Sequence, residues 1–184
     1  MFPCTLGATY FAMSNSSSSS NHSLSIMSWN VRGLGDLDKC NVVREAIISA
    51  NPSIMCIQKS KLHDIDRFKV KTFLPTQFAQ TFIFLPAIGS RGGIITAWNP
   101  ISWCCTGSTT KKNHSLTITL SSTLSDFTLA ITNVYGPSDH RHTNAFLLEL
   151  LDISTQMNDH WVIIEDFNLI RSSDEETPII STAP

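Results

Sequence analysis

Four apolar runs in this sequence end in residues able to handle a charged, oxygen-rich group. They are "SWNVRGLG" at 28–35, "CIQKSK" at 56–61, "TNVYGP" at 132–137 and "IEDFN" at 164–168. A carboxylate such as Asp166 can take a proton from water or bind a hard cation through oxygen. The amides of Asn30 and Asn168 and the phenol of Tyr135 add donors and acceptors around it. Polar groups at strand ends, on loops over a rigid scaffold, are where sites are usually built. Each residue also has a plainer reading. Asn30 alone closes a turn or caps a helix, Asp166 and Asn168 form an Asx-type bend, and Tyr135 ends a strand before Gly136-Pro137.

The elements that must position these residues follow from hydrophobic periodicity. "LSIMSWNV" alternates like a half-buried strand. A helix follows, capped by Asp36 or Asp38, with Val43, Ala46, Ile47 and Ala50 on one face and an end at Asn51-Pro52. "SIMCIQ" reads as a strand covered on both faces. Residues 59–71 read as a polar loop with one helical turn. "FAQTFIFLP" and "GGIITAW" read as strands joined by the glycine turn "GSRGG", which lacks the Lys-Ser/Thr of a phosphate-binding P-loop. Three more β segments follow: "SWCCTGS", "SLTITLS" and "DFTLAITNVYGP". A helix over "HTNAFLLELLDISTQMN" stacks Phe146, Leu150, Ile153 and Met157, and "HWVIIEDFN" reads as a buried strand. Many strands with two widely separated helices predict two sheets with helices packed outside them.

Composition sets the outer bounds. The 184 residues, 42% hydrophobic and 15% charged, suit one domain. The Ser-rich tract at 14–22 is too polar to offset its ordering entropy, so residues 1–23 read as a disordered leader and 24–184 as the folded domain. A net charge of −2 gives no support to binding driven by phosphate contacts alone. Five cysteines without a CxxC pair imply neither a zinc site nor a disulfide framework. They read as reduced cysteines of an intracellular protein, nuclear or cytoplasmic. No apolar run reaches the roughly 20 residues that cross a bilayer, so no membrane partner is expected.

Taken together and in order, the four stretches resemble the endonuclease/exonuclease/phosphatase superfamily. The pattern is most similar to the endonuclease domain of plant LINE-type retrotransposons, whose wording runs SWNxRGLG, xxQETK, NVYxP, GDFN. The resemblance covers residues 25 to about 173. It implies an α+β chain with the four-layer α/β/β/α sandwich of DNase I, here C-terminally truncated because the family runs on to a terminal Ser-Asp-His. It implies a hydrolase, a Mg²⁺-dependent phosphodiesterase, with DNA as the ancestral substrate; it points to no known protein partner. Asn30 then matches the asparagine that positions metal and phosphate, and Tyr135 the tyrosine that hydrogen-bonds the scissile phosphate. Asp166 matches the aspartate that polarises the attacking water, and Asn168 the asparagine that steadies the phosphate. Asn30 and Asp166 are the metal-side residues.

The departures carry as much information as the matches. Where the family has Gln-Glu-Thr-Lys, this chain has Gln58-Lys59-Ser60-Lys61. The family's glutamate is its main metal ligand, whereas lysine offers donors only. Glu165 replaces the glycine of GDFN and adds bulk and charge. The expectation is therefore a degenerate retroelement endonuclease of weak or absent activity. Two other readings stand beside it: a non-catalytic nucleic-acid-binding remnant, and a phosphoesterase acting on a substrate other than nucleic acid.

Overall fold

The computed structural model describes residues 8–14, 23–89, 91–137, 139–157 and 160–166. Among the described residues, ten strands and three α-helices form two sheets with helices outside both. The first sheet contains β1 (Ala8–Ser14), β2 (Ser23–Asn30), β3 (Ile54–Gln58), β4 (Phe82–Ile88) and β5 (Arg91–Trp98), in the order β1-β2-β3-β5-β4. The second contains β6 (Trp103–Cys105), β8 (Ser115–Ser122), β9 (Thr128–Tyr135) and β10 (Trp161–Asp166), in the order β10-β9-β8-β6. A two-residue strand, β7 (Thr110–Lys111), also pairs with β8. The pairs β2/β3 and β9/β10 are parallel and every other pairing is antiparallel.

Helix α1 (Leu37–Ala50) starts where Asp36 accepts a hydrogen bond from the Asp38 backbone and ends at Asn51 in a left-handed conformation. Helix α2 (Arg67–Phe73) fills part of the stretch expected to be loop. Asp66 caps it by accepting from the backbones of Phe68 and Lys69, and Val70 and Phe73 are its buried anchors. Helix α3 (Thr143–Ser154) covers the second sheet and buries Phe146 and Ile153; Leu150 is half-buried, and Met157 lies beyond the helix end.

Strand alternation sorts the side chains into two cores. Met27, Trp29, Met55, Ile57, Ile95 and Ala97 face α1 and α2, where they meet Val43, Ile47, Val70 and Phe73. Ile26, Ile54, Cys56 and Trp98 face the other way, against Ile118, Leu120, Leu129, Ile131 and Ile164 of the second sheet. The result is the expected four-layer α/β/β/α sandwich.

Three expectations change. Residues 8–14, placed in the disordered leader, form β1, in register with β2 from Ala8–Trp29 to Ser14–Ser23. The segment "ATYFAMS" carries aromatic and β-branched residues suited to a strand, and pairing covers the otherwise open edge of β2. Ser23 already belongs to β2, and residues 1–7 and 15–22 lie outside the described residues. Among the described strands β10 stands at the edge of its sheet, and of its described side chains only Ile164 is buried, whereas a buried strand was expected. In "FAQTFIFLP" only the second half is strand, since Thr76–Gln80 is a turn.

Candidate functional site

The parallel pairs run their C-terminal ends to the same side of the sandwich. Asn30 is in register with Gln58 at the ends of β2 and β3, and Tyr135 with Asp166 at the ends of β9 and β10. Backbone hydrogen bonds tie the loops beyond these ends together. Val31 N–H donates to the Gln58 carbonyl at 3.0 Å and Leu34 N–H to that of Ser60 at 2.9 Å. Ser60 N–H donates to Gly93 at 2.9 Å and Lys61 N–H to Gly92 at 3.1 Å, so the start of β5 completes the rim.

Two glycines make that rim possible. A Cβ on Gly93 would lie 2.3 Å from Ser60 Oγ, and the residue has φ +84°. Gly92, at φ +75°, faces the Tyr135 ring, with its notional Cβ 3.8 Å from Tyr135 Cδ1. Three basic residues on the rim also sit in the left-handed region: Arg32 (φ 54°), Lys59 (φ 54°) and Lys61 (φ 57°). Lysine and arginine seldom adopt it, and such strain costs on the order of 1–3 kcal/mol per residue and clusters at functional sites. Lys59 is half-buried, and its Nζ sits 4.8 Å from the centre of the Tyr135 ring, a cation–π contact.

Beneath the rim, a polar network crosses the otherwise apolar layer between the sheets. Gln58 Nε2 donates to Asn133 Oδ1 at 2.8 Å and to Ser28 Oγ at 3.1 Å. Asn133 Nδ2 donates to the Ile95 carbonyl at 3.0 Å and to Thr96 Oγ1 at 3.2 Å. Gln58 and Asn133 are buried, so this network fixes β3 against β9 just below Lys59 and Tyr135. Cys56, two residues before Gln58, shares its face; burial pushes its thiol pKa up to about 12, with a hydrogen bond from Thr96 opposing the shift. Tyr135 is held from behind as well. Its N–H donates to the His114 carbonyl at 2.9 Å, and His114 Nδ1 lies 3.3 Å from the Tyr135 carbonyl oxygen.

Of the residues singled out from sequence, Asn30, Lys59, Tyr135 and the backbone of Asp166 thus end neighbouring strands. Asn168 lies outside the described residues. Sequence reasoning missed Gln58 and Asn133 as the bridge between sheets. Their signal was present: each is a polar residue at the parity of core positions, Gln58 with Ile54 and Cys56, Asn133 with Leu129 and Ile131. Among the described residues, no three His, Cys, Asp or Glu side chains gather as a metal-binding group, and no helix is long and apolar enough to cross a membrane.

No protein-family model matches this sequence, and no curated protein matches it. Solved structures do match its fold. The human Nocturnin catalytic domain with bound sulfate anion aligns at 17% identity over 79% of this chain and 64% of that domain, with a TM-score of 0.59. A humanised TDP2 from D. rerio aligns at 14% identity over 80% of this chain and 67% of that one, also at 0.59. An endonuclease/exonuclease/phosphatase family protein from Bacteroides thetaiotaomicron aligns at 12% identity over 88% and 63%, at 0.54. The chain therefore spans about two thirds of the length of these structures. At such identities the likeness speaks for architecture, and the architecture is plain: this chain has the DNase I-like four-layer fold shared by endonuclease/exonuclease/phosphatase structures.

Proposed function

We propose that this chain is an endonuclease/exonuclease/phosphatase protein descended from the Mg²⁺-dependent DNA endonuclease of a plant LINE-type retroelement, with weak or no phosphodiester hydrolysis of its own. The fold and the motif wording support the descent. The observation that carries the loss of activity is Lys59, whose ammonium sits over Tyr135 at the end of β3. The sulfate bound to the Nocturnin domain is in keeping with a fold that handles tetrahedral oxyanions.

Under this reading Asn30, Tyr135, Asp166 and Asn168 retain their ancestral tasks. The Asp166 carboxylate would take the proton of the attacking water. The amides of Asn30 and Asn168 would hold phosphate oxygens, and the Tyr135 phenol would donate to a non-bridging one. Magnesium is the cation the resemblance implies, and the residues present do not fit it. Mg²⁺ is bound through carboxylates and water, while the strand end that would supply the main carboxylate carries an ammonium. A change from −1 to +1 alters the local charge by two units. Each unit is worth about 4 kcal/mol against a monovalent charge at ~4 Å and an effective dielectric of ~20. Tenfold in affinity is only ~1.4 kcal/mol, so the substitution outweighs what one remaining carboxylate contributes.

The test is plasmid relaxation by the purified protein in Mg²⁺, with and without EDTA, beside Asp166→Ala. The expected outcome is nicking no greater than that of the variant. EDTA-sensitive nicking well above it would overturn the proposal.

A further inference from the structure

We infer that the outer face of α3 is a self-association surface, on which a second copy of this chain lays its own α3 in antiparallel orientation. Such pairing needs nothing from the strand-end site. The helix is apolar on two sides. Its inner side buries Phe146 and Ile153 against the second sheet. Leu148 and Leu151 each lie two residues from one of these anchors, about 200° around the helix, so they face away from the sheet. They are 64% and 61% exposed, and Leu147, one turn before Leu151, is 46% exposed. Surface leucines scattered singly are ordinary. Three at i, i+1 and i+4 neighbour one another on the helix surface and form a patch.

The charge pattern says what covers that patch. Charges along α3 run against the helix's own dipole. The short 3-10 turn His140–His142 leads into the N-terminus, and its Arg141 side chain is 86% exposed. The first helical turn contains no acid, and His142 at the N-cap makes no side-chain capping bond. At the other end the last turn contains no base, and the Asp152 side chain is 58% exposed. Cations at a helix N-terminus and an anion near its C-terminus are the arrangement an isolated helix disfavours. An antiparallel second α3 reverses it. The acidic, dipole-negative end of one copy then meets the basic, dipole-positive end of the other, with the leucines between them. A parallel copy would set like ends together. Arg141 and Asp152 each keep a partner within the chain, Asp139 and Lys112, so these charges set orientation more than strength. The same face serves both copies, so the contact closes as a two-fold dimer. One helix face is small for a specific interface, and the dimer is accordingly weak, with Kd on the order of tens of micromolar.

Sedimentation equilibrium of the full chain, from roughly 1 to 200 µM so as to span that Kd, reads the association. The variants are Leu148→Glu and the milder Leu151→Gln, with Ile101→Glu, at a loop position 75% exposed, as control. Circular dichroism melts check that each is folded. The expected result is a wild type that passes from monomer to dimer across the range. Leu148→Glu should weaken the dimer at least tenfold and Leu151→Gln at least threefold, while the control changes it less than twofold. Orientation is read by disulfide trapping in a Cys4→Ser/Cys104→Ser/Cys105→Ser background, which leaves the buried Cys40 and Cys56. Asn144→Cys and Thr155→Cys sit at exposed positions at opposite ends of the face. Chains carrying one should cross-link to chains carrying the other faster than to their own kind. Three results would overturn the inference: a dimer that Leu148→Glu leaves intact, cross-links only between like variants, or a monomer at every concentration. The last would leave the face to a different protein or to another segment of this chain.

Discussion

Replacing Asn133 by leucine tests whether the polar bridge between the sheets carries the site. Leucine keeps the branched outline of asparagine while removing every polar atom; it is the larger residue, so any overpacking adds to the polar loss. Asn133 accepts one hydrogen bond from Gln58 and donates two, to Ile95 and Thr96. Without it, one Gln58 N–H is stranded, since Gln58 Nε2 keeps only its bond to Ser28. A buried donor left unsatisfied costs about 1–3 kcal/mol, and each of the other two lost bonds about 1 kcal/mol net. The expected destabilisation is therefore about 3–5 kcal/mol. For a chain of this size that lowers Tm by roughly 6–20 °C. Urea unfolding followed by the fluorescence of the 4 tryptophans gives the free energies. The sharper test is the double variant Gln58→Leu/Asn133→Leu. Removing both partners strands no amide between them, so the double variant should be less destabilised than the sum of the singles by about 1–2 kcal/mol. Additivity to within about 0.5 kcal/mol would refute the claim that these two residues act as one bridge.

Other outcomes follow from the same geometry. Gly93→Ala should lower stability by at least 2 kcal/mol, roughly, because its Cβ meets Ser60 Oγ at 2.3 Å in a left-handed backbone, whereas Gly35→Ala, with nothing within 4 Å, should be nearly neutral in the same melts. The Cys56 thiol is held neutral by burial, with a folded pKa of about 12 against an ordinary 9.0. Its contribution is fully present below pH ~9 and is lost as pH rises toward the folded value, by up to about 1.4 kcal/mol per unit. Urea midpoints measured against pH should therefore fall more steeply for the wild type than for Cys56→Ala above pH ~9, and equal slopes would refute this. A chain starting at Ser23 should aggregate more readily by light scattering, since removing β1 opens the edge of β2.

The parts of the fold legible in the sequence were those governed by local pattern. Alternation in "LSIMSWNV" and the Asp36 and Asn51 caps marked β2 and α1, and the unbroken apolar run "SIMCIQ" marked β3, buried along its whole length. Less legible were elements whose stability comes from distant partners. Strand β1 was hidden by the Ser-rich tract beside it and exists through pairing with β2. Helix α2 has only two buried anchors, Val70 and Phe73, too few to show a helical period. The even apolar run of β10 gave no sign that its place at a sheet edge would leave it half-buried. At the site, the motifs marked which residues end strands. The seat of Lys59 on Tyr135 and the contact of Gln58 with Asn133 join segments 75 or more residues apart, and local pattern carries no information at that range.

The central claim is that a lysine ammonium stands where a divalent cation would be held. Electron paramagnetic resonance of free Mn²⁺, titrated against the full chain, measures this without depending on turnover. The wild type should leave Mn²⁺ unbound at micromolar concentrations, as should Asp166→Ala. Saturable micromolar binding by the wild type that disappears in Asp166→Ala would contradict the account.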